Sequence, residues 1–114
     1  MDNEVKMRWL EALRSGKYQQ GGGYLRQKSP AGDKFCCLGV LIDILDPNGW
    51  VDGQMEGVYE HDGRTAIPNL RIEELAGIER KNFASPDWYC RLPAMNDEGN
   101  KSFEEIADYI EENA

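Results

Sequence analysis

The chain has few side chains that bind metal ions or act as nucleophiles. Its 114 residues include one histidine and three cysteines. Zinc sites use several Cys or His ligands at characteristic spacings, and Cys36 followed directly by Cys37 lacks such a spacing. A Cys–His catalytic pair would require His61 to meet a thiol, but both of these cysteines lie in an apolar run and are typical of small core residues. The sequence therefore predicts no metal ion, no cofactor and no catalytic residue.

The chain also lacks a disulfide framework, a membrane span and a secretion signal. Cys36 and Cys37 are too close in sequence to bridge each other easily, and Cys90 leaves one of them without a partner. The longest apolar run, Phe35–Leu45, is much shorter than the ~20 residues of a membrane helix. No charged start followed by an apolar core marks a secretion signal. These absences predict a protein of a reducing cytoplasm that makes no membrane contact.

Positive charge is scarce. Lys and Arg number 13 against 21 Asp and Glu, which gives a net charge of −8. Residues 97–114 are the most acidic part of the chain, whereas residues 1–40 carry a small positive excess. Nucleic-acid binding depends on Lys and Arg contacts to phosphates, so direct binding of DNA or RNA is not expected. The basic first third still allows one local site for an anion.

Two amphipathic helices are predicted at the ends of the chain. Residues 3–14 place apolar side chains at helical spacing, with Trp9 as the core anchor. Near the other end, Ser102 followed three residues later by Glu105 is typical of a capping box and predicts the start of a helix. The glutamates at 111 and 112 lie at the negative end of the helix dipole, so the last turn is expected to fray.

The apolar run Phe35–Leu45 is the segment around which the rest must pack. We interpret it as a buried helix from about Leu38, stopped at Asp46-Pro47. Periodicity alone does not separate helix from strand over residues 36–45. A further short helix is predicted from Pro68-Asn69 to about Ala76.

Turn signals predict two hairpins. The first pairs Tyr24–Gln27 with Lys34–Cys37 around a Pro- and Gly-containing turn. The second pairs Gly57–Glu60 with Arg64–Ile67 around Asp-Gly. His61 would then lie in an exposed hairpin turn.

One more extended piece completes the predicted fold. Trp88–Pro93 is interpreted as a last strand or a packed loop. No repeat and no linker divides the chain, so we predict a single domain over residues 1–114. The predicted class is α+β, with a small antiparallel sheet packed against N-terminal, central and C-terminal helices.

Several aromatic side chains with polar edges alternate with arginines along the chain. Aromatic faces stack on bases, and guanidinium groups bind phosphates or carboxylates. The alternative is that these residues form rim packing and surface charge. Gly21–Gly23 permits close backbone approach, either in a tight turn or in a loop that contacts an anion or nucleotide. We predict a ligand site formed by Tyr18, Gln20, Tyr24, Arg26, Arg64, Asn96 and Asp97.

Three sequence blocks resemble a group of small proteins encoded by bacteriophages and prophages. The blocks are WxxALRSGxYxQ at Trp9–Gln20, FCCLGVLxD at Phe35–Asp43, and NDxGxxSFxEIAD at Asn96–Asp108. Together they cover about a third of the chain and run from end to end. Met95 stands where leucine is expected before the Asn-Asp pair. The resemblance assigns no role to an individual residue.

The resemblance implies a phage accessory protein that acts in the cytoplasm of an infected bacterium. Small phage proteins of this type are often counter-defence factors. We therefore expect a non-enzymatic protein that binds and sequesters a small nucleotide-type immune signal. The alternatives are an acidic inhibitor of a host defence protein or nuclease, as in anti-CRISPR proteins, and a hydrolase of the signal acting through Asp97 or Asp43. Assembly as a homo-oligomer is compatible with any of them.

Overall fold

The computed structural model describes residues 1–114 and contains six helices and five short strands. No helix combines the length and apolar character that crossing a membrane requires. The mixture of separate helices and small sheets confirms the predicted α+β class. The helices are α1 (Asn3–Arg14), α2 (Cys37–Leu45), α3 (Leu70–Leu75), α4 (Asp87–Cys90), α5 (Leu92–Asp97) and α6 (Phe103–Asn113). The strands are β1 (Gln19–Gln20), β2 (Arg26–Gln27), β3 (Lys34–Phe35), β4 (Trp50–Asp52) and β5 (Tyr59–His61).

Helix α2 lies at the centre of the core. Its first six residues are all buried, so it is apolar around most of its circumference, as expected for a helix enclosed by other elements. The side chain of Cys36 caps its N-terminus by accepting from the Gly39 N–H. Pro47 opens a short 3-10 helix directly after it. The choice between helix and strand over residues 36–45 is therefore resolved in favour of helix from Cys37 onward.

Helix α1 packs against α2 through Trp9, as predicted. The Trp9 side chain is fully buried, and its indole N–H donates to the carbonyl of Cys37 at 3.0 Å. Burying tryptophan requires a partner for this N–H, and the first turn of α2 supplies one. Asp2 caps α1 by accepting from Val5 N–H at 2.9 Å. The predicted span of residues 3–14 is confirmed.

Strand β3 is the middle strand of a three-stranded sheet with the order β1-β3-β2. The antiparallel pair β2–β3, with Arg26 opposite Phe35, confirms the first predicted hairpin. The pair β1–β3 is parallel, which the expectation of an antiparallel sheet did not include. It arises because the chain turns back through Gly21–Gly23 before it enters β2, so β1 and β2 lie on opposite edges of β3.

The second hairpin does not form as predicted, because its first strand pairs with a different strand. β5 pairs with the earlier strand β4, with Trp50 opposite His61. The Asp62-Gly63 turn does form, but pairing beyond it is limited to one bridge between His61 and Arg64. The carbonyl of Thr65 instead accepts from Leu25 N–H at 2.7 Å. His61 is consequently fully buried, and its predicted exposure is wrong.

The segment Trp88–Pro93 forms neither a strand nor a loop. It belongs to the two short helices α4 and α5. Pro93 lies in the first turn of α5, where a missing N–H costs no helical hydrogen bond. Helix α3, by contrast, confirms the short helix predicted after Pro68, with Asn69 as its cap.

Helix α6 begins with the predicted capping box. The Glu105 N–H donates to Ser102 Oγ at 3.1 Å, and the Ser102 N–H donates to Glu105 Oε1 at 3.2 Å. The last turn, for which the sequence predicts fraying, is helical as far as Asn113. The Lys6 ammonium of α1 donates to the carbonyls of Glu111 and Ala114, at 3.0 and 2.8 Å. A cation at this end of the helix offsets the acidic residues there.

Candidate functional site

An open cavity of about 470 Å³, which we call the polar cleft, is formed by three segments that are distant in sequence. They are the chain after β1, the end of α5, and the turn that leads into α6. None of its lining residues is hydrophobic. The lining residues are Gln20, Gly21, Gly22, Asn96, Asp97, Asn100, Lys101 and Ser102.

Asn96 holds the base of the polar cleft together. It is buried at the end of α5, and its amide nitrogen donates to the Gly21 carbonyl at 2.7 Å. Its amide oxygen accepts from Gln20 Nε2 at 3.0 Å and from Cys37 N–H at 3.3 Å. Because a buried amide needs partners for both its oxygen and its nitrogen, this one residue fixes β1, α2 and α5 relative to one another.

Asp97 is the exposed carboxylate of the polar cleft. Its Oδ1 accepts from Gly23 N–H at 3.0 Å and from Asn96 Nδ2 at 2.9 Å. Its Oδ2 has no hydrogen-bond partner within the protein. One carboxylate oxygen is therefore fixed by the protein, and the other is free to accept from a ligand.

Two of the three consecutive glycines are explained by close packing. A Cβ atom on Gly22 would lie 3.2 Å from Asp97 Oδ1, and one on Gly21 would lie 2.7 Å from Gln27 Nε2. Gly22 thus allows the loop after β1 to lie against α5, and Gly21 allows it to lie against β2 and β3. The tight turn and the ligand-contacting loop, which the sequence left as alternatives, are compatible in this arrangement.

The start of α6 supplies the one cationic side chain of the polar cleft. Lys101 precedes the cap residue Ser102, and its Nζ lies 3.9 Å from Glu105 Oε2. The Lys101 carbonyl accepts from Gln20 Nε2 at 2.7 Å, which ties this turn to β1. The positive end of the α6 dipole and the Lys101 ammonium therefore lie at the same side of the cleft.

Tyr18 and Arg26 lie in a second group, which we call the aromatic cluster: Tyr18, Phe35, Trp50 and Tyr59 around the Arg26 guanidinium. The Arg26 Cζ is 4.4 Å from the ring centre of Tyr59 and 5.0 Å from that of Phe35. Its Nε and one terminal nitrogen donate to Asp33 Oδ2 at 3.0 and 2.7 Å. Arg26 is thus already stacked and ion-paired inside the protein.

The Tyr18 hydroxyl also has its partner inside the protein. Its hydroxyl donates to Asp43 Oδ2 at 2.7 Å, and Trp50 Nε1 donates to the other oxygen of Asp43 at 3.0 Å. Burial, and then the hydrogen bond to Asp43, raise the pKa of Tyr18. The Tyr18 hydroxyl and both oxygens of Asp43 are thus paired within the protein, and these contacts fasten the sheet to α2.

The remaining two predicted site residues line neither group. The Tyr24 hydroxyl contacts Met55 Sδ at 3.3 Å, and Arg64 is exposed with no side-chain hydrogen bond or ion pair. The structure therefore brings together Gln20, Asn96 and Asp97 in the polar cleft, places Tyr18 and Arg26 in the aromatic cluster, and leaves Tyr24 and Arg64 apart from both.

Sequence reasoning missed Lys101 and Asn100 as members of the polar cleft. Their position in a polar turn just before a capped helix was the available signal, because such a turn exposes its side chains beside a helix N-terminus. Of the cleft residues on either side of them, Asp97 was predicted as a site residue, whereas Ser102 was predicted only as the cap of α6.

A polar group around the buried His61 was also missed. His61 Nε2 lies 3.0 Å from Asp46 Oδ2, and Arg71 donates to the same oxygen at 2.9 Å. Hydrogen bonding from Arg71, and then from His61, lowers the pKa of Asp46. These residues are 15 and 25 positions apart from Asp46, and no local pattern indicates their contact. No three His, Cys, Asp or Glu side chains in the protein are arranged to hold a metal ion.

The chain belongs to the family described as "Domain of unknown function (DUF8296)", whose model matches residues 1–114. No curated protein and no solved structure matches it. The family description states no ligand and no activity, so function has to be inferred from the polar cleft and its surroundings.

Proposed function

We propose that this protein binds and sequesters a small nucleotide-type molecule in the polar cleft, without catalysis. The observation that carries the proposal is the convergence of Gln20, Asn96 and Asp97, three residues that the sequence nominates as ligand-binding. Gln20 and Asn96 are 76 positions apart, yet their side chains are 3.0 Å from each other. Packing an apolar core does not require such a polar junction beside an open cavity.

The chemistry of the polar cleft suits the sugar and phosphate of a nucleotide. The free oxygen of Asp97 can accept from ribose hydroxyls or from the amino edge of a base. Lys101 can bind a phosphate, because an ammonium group favours anions and its contact with Glu105, at 3.9 Å, is longer than a hydrogen bond. The volume of about 470 Å³ lies within the range of small-molecule sites, roughly 300–1,000 Å³.

The mode of ligand recognition that the structure favours differs in two respects from the one expected from the sequence. Arg26 and Tyr18 are occupied within the aromatic cluster, so neither a free guanidinium nor a stacking face from them is available. A single ammonium group in the cleft favours a ligand with one or two phosphate charges, such as a mononucleotide or a cyclic nucleotide. Recognition then rests on hydrogen bonds to the sugar and phosphate more than on base stacking.

The resemblance to phage and prophage proteins supports a biological setting for this binding. We propose that the protein is a phage-type accessory factor that acts in the bacterial cytoplasm and lowers the free concentration of an immune nucleotide signal. Sequestration requires a tight complex and no turnover. For the hydrolase alternative, Asp97 is the better-placed candidate, since it lines the polar cleft, whereas both oxygens of Asp43 accept hydrogen bonds inside the protein.

The first test is mass spectrometry of small molecules released by heat from protein purified out of cells with an active nucleotide-signalling defence. An intact nucleotide supports sequestration, and a processed product indicates a hydrolase. Titration calorimetry with AMP, cyclic AMP and cyclic di-AMP then measures affinity. We expect Asp97→Asn and Lys101→Gln each to weaken binding about tenfold, the loss expected for one charge-assisted contact.

Matched controls separate binding from folding. Lys17→Gln removes an exposed lysine outside the polar cleft, and Arg64→Gln removes a predicted site residue outside it; both should bind as the parent does. All four variants should melt within about 2 °C of the parent, since each changes an exposed side chain. Absence of binding by every nucleotide, together with an empty purified protein, would contradict the proposal.

A protein-binding role is the second candidate, and one observation favours it. Phe83 is 98% exposed at the tip of a turn and has a positive φ of 64°, which is strained for a bulky residue. The acidic segment of residues 97–114 is weaker support, because two of its carboxylates, those of Asp108 and Glu111, are paired with Arg14. Affinity capture from host lysate tests this role. A complex in which acidic side chains take the place of nucleic-acid phosphates should weaken steeply as the salt concentration is raised. The variant Phe83→Ser should reduce capture.

A further inference from the structure

The polar cleft contains two hydrogen-bond acceptors that the protein itself does not use. Gln20 Nε2 donates to Asn96 Oδ1 at 3.0 Å and to the Lys101 carbonyl at 2.7 Å, whereas Gln20 Oε1 has no partner. The Lys101 carbonyl can only accept, so this contact fixes which end of the Gln20 amide is the nitrogen. The second free acceptor is Asp97 Oδ2, because only Oδ1 of that carboxylate is bonded within the protein.

These two acceptors lie on either side of the same buried amide. The oxygen of Asn96 accepts from Gln20, and its nitrogen donates to Asp97 Oδ1 at 2.9 Å. One carbon atom joins that oxygen and nitrogen, so the two side chains bound to them are neighbours. Both line the cavity; Asp97 is exposed, and Gln20 Oε1 is not enclosed by protein. Two neighbouring acceptors match a ligand that carries two neighbouring hydroxyl donors.

The other side of the polar cleft supplies free donors. The Lys101 ammonium is exposed, and its distance of 3.9 Å from Glu105 Oε2 is longer than a hydrogen bond. The side chain of Asn100 is also exposed and lines the cavity without a hydrogen bond in the protein. An ammonium group and an amide N–H both donate to phosphate oxygens. This side of the cleft therefore suits a phosphate group.

The polar cleft has no surface that would hold the face of a base. None of its lining residues is hydrophobic or aromatic. Proteins bind the faces of bases by stacking them on aromatic side chains. Tyr18 and Tyr24, the tyrosines closest to the cleft residues in sequence, contact Asp43 and Met55 instead. A base would therefore remain in solvent while the sugar and phosphate of its nucleotide occupy the open cavity.

From these observations we propose that the cleft recognises the ribose 5′-phosphate part of a nucleotide and is indifferent to the base. Gln20 and Asp97 accept from the two ribose hydroxyls, and Lys101 donates to the phosphate. This inference rests on the proposed nucleotide binding and adds which part of the nucleotide is recognised. It favours a 5′-mononucleotide over a 3′,5′-cyclic nucleotide, because closing the phosphate ring removes one of the two hydroxyl donors.

Titration calorimetry with AMP, CMP and ribose 5-phosphate tests the role of the base. We expect the three dissociation constants to agree within about threefold, because the shared sugar phosphate makes the contacts. Removing one hydroxyl, in 2′-deoxy-AMP or 3′-deoxy-AMP, should weaken binding about fivefold, the loss expected for one net hydrogen bond. Removing both, in 2′,3′-dideoxy-AMP, should weaken it about 25-fold.

Two variants assign these contacts to individual residues. In Asp97→Asn, Oδ1 can keep both of its donors while an amide nitrogen replaces the free acceptor. The preference for AMP over 2′,3′-dideoxy-AMP should therefore fall from about 25-fold to about fivefold. In Lys101→Gln, AMP should bind about tenfold more weakly, but this preference should be kept. Glu98→Gln, which neutralises an exposed carboxylate outside the cleft lining, is the control and should change neither quantity.

The outcomes separate this inference from the proposed function. If none of these nucleotides and sugar phosphates binds, both are overturned. If AMP binds but ribose 5-phosphate does not, or if one base is preferred by more than about tenfold, nucleotide binding stands and recognition through the sugar phosphate is overturned. Equal affinities for AMP and 2′,3′-dideoxy-AMP, or an unchanged preference between them in Asp97→Asn, would overturn it as well.

Discussion

Gly39 of α2 lies directly against the backbone carbonyl of Leu25, so that a Cβ atom at position 39 would overlap the carbonyl oxygen. The same oxygen accepts from Cys36 N–H at 3.2 Å, and Leu25 is fully buried. Glycine within a helix costs about 1 kcal/mol relative to alanine. Here the close approach of α2 to the chain entering β2 outweighs this cost.

Gly39→Ala should therefore destabilise the protein strongly. The new Cβ atom would be fixed to the backbone of α2, and the atom it meets is the Leu25 backbone carbonyl. Neither can move without displacing a helix or a strand. We expect the free energy of unfolding to fall by about 3 kcal/mol or more, measured by urea denaturation. Gly63 is the control: its φ is 77° and no atom lies near its Cβ position, so Gly63→Ala measures backbone strain alone, about 1 kcal/mol. Equal losses in the two variants would argue against the contact with Leu25.

Arg26→Lys should lower stability and leave nucleotide affinity unchanged. Lysine cannot donate twice to Asp33 and stack on Tyr59 at the same time. We expect a loss of about 2 kcal/mol in chemical denaturation. Arg64→Lys, at an exposed and unpaired position, should have no effect. If Arg26→Lys kept full stability and instead lost nucleotide binding, Arg26 would be a ligand contact, as the sequence first indicated.

Ser102→Ala should weaken α6, because it removes one half of the capping box. The expected loss is about 1 kcal/mol, and circular dichroism during thermal melting would report it. Glu104→Gln changes an acidic residue of the same turn outside the capping box and should have much less effect.

The same capping box predicts a response to acid. Hydrogen bonds from the Ser102 backbone and hydroxyl lower the pKa of Glu105. A carboxylate with a lowered pKa in the folded protein stabilises it above the ordinary pKa, and this contribution is lost as the pH falls through the lowered value. Ser102→Ala should therefore show a smaller loss of stability between pH 5 and pH 3 than the parent. An identical acid profile in both proteins would count against the role of Glu105.

Alkaline pH should destabilise the protein. Burial raises the pKa of the Cys36 thiol to about 11 and also raises the pKa values of Cys37 and Tyr89. A raised pKa in the folded state means that stability is complete below the ordinary pKa and declines as the pH rises above it, since only the unfolded chain ionises readily. Cys36 alone should remove about 2 kcal/mol by pH 11.

Urea denaturation at several pH values from 8 to 11 tests this expectation. Cys36→Ala is the matched variant: it should start from lower stability because its cap and packing are reduced, and it should then lose less on going from pH 9 to pH 11. A parent protein whose stability does not change over this range would contradict the assignment of these thiols to the core.

The parts of the fold that sequence predicted well are those specified by neighbouring residues. The spacing of apolar residues around Trp9 predicted α1 at its observed bounds, and Ser102 with Glu105 predicted the start of α6. Caps and periodicity act within one or two turns of helix, so their signals are local. The run of apolar residues at 36–45 was predicted as central for the same reason, although only its contacts establish that it is a helix.

The parts that sequence did not predict depend on choices between distant partners. β5 has suitable neighbours on both sides in sequence. It pairs with β4, while the segment after it bonds elsewhere, with the Thr65 carbonyl accepting from Leu25 N–H. That choice is what buries His61. For the candidate site, Arg26 and Tyr18 were predicted as ligand-binding side chains, but the sequence pattern did not show that Asp33, at the end of the β2–β3 turn, and Asp43 of α2 would pair with them.

The contacts between α1 and α6 also determine when the chain can finish folding. Arg14 pairs with Asp108, which is 94 positions later, so the partner of α1 is made long after α1 itself. During synthesis, the apolar face of α1 stays exposed until α6, the helix that covers it, has been made. Chaperones and proteases would encounter that exposed surface until α6 has left the ribosome.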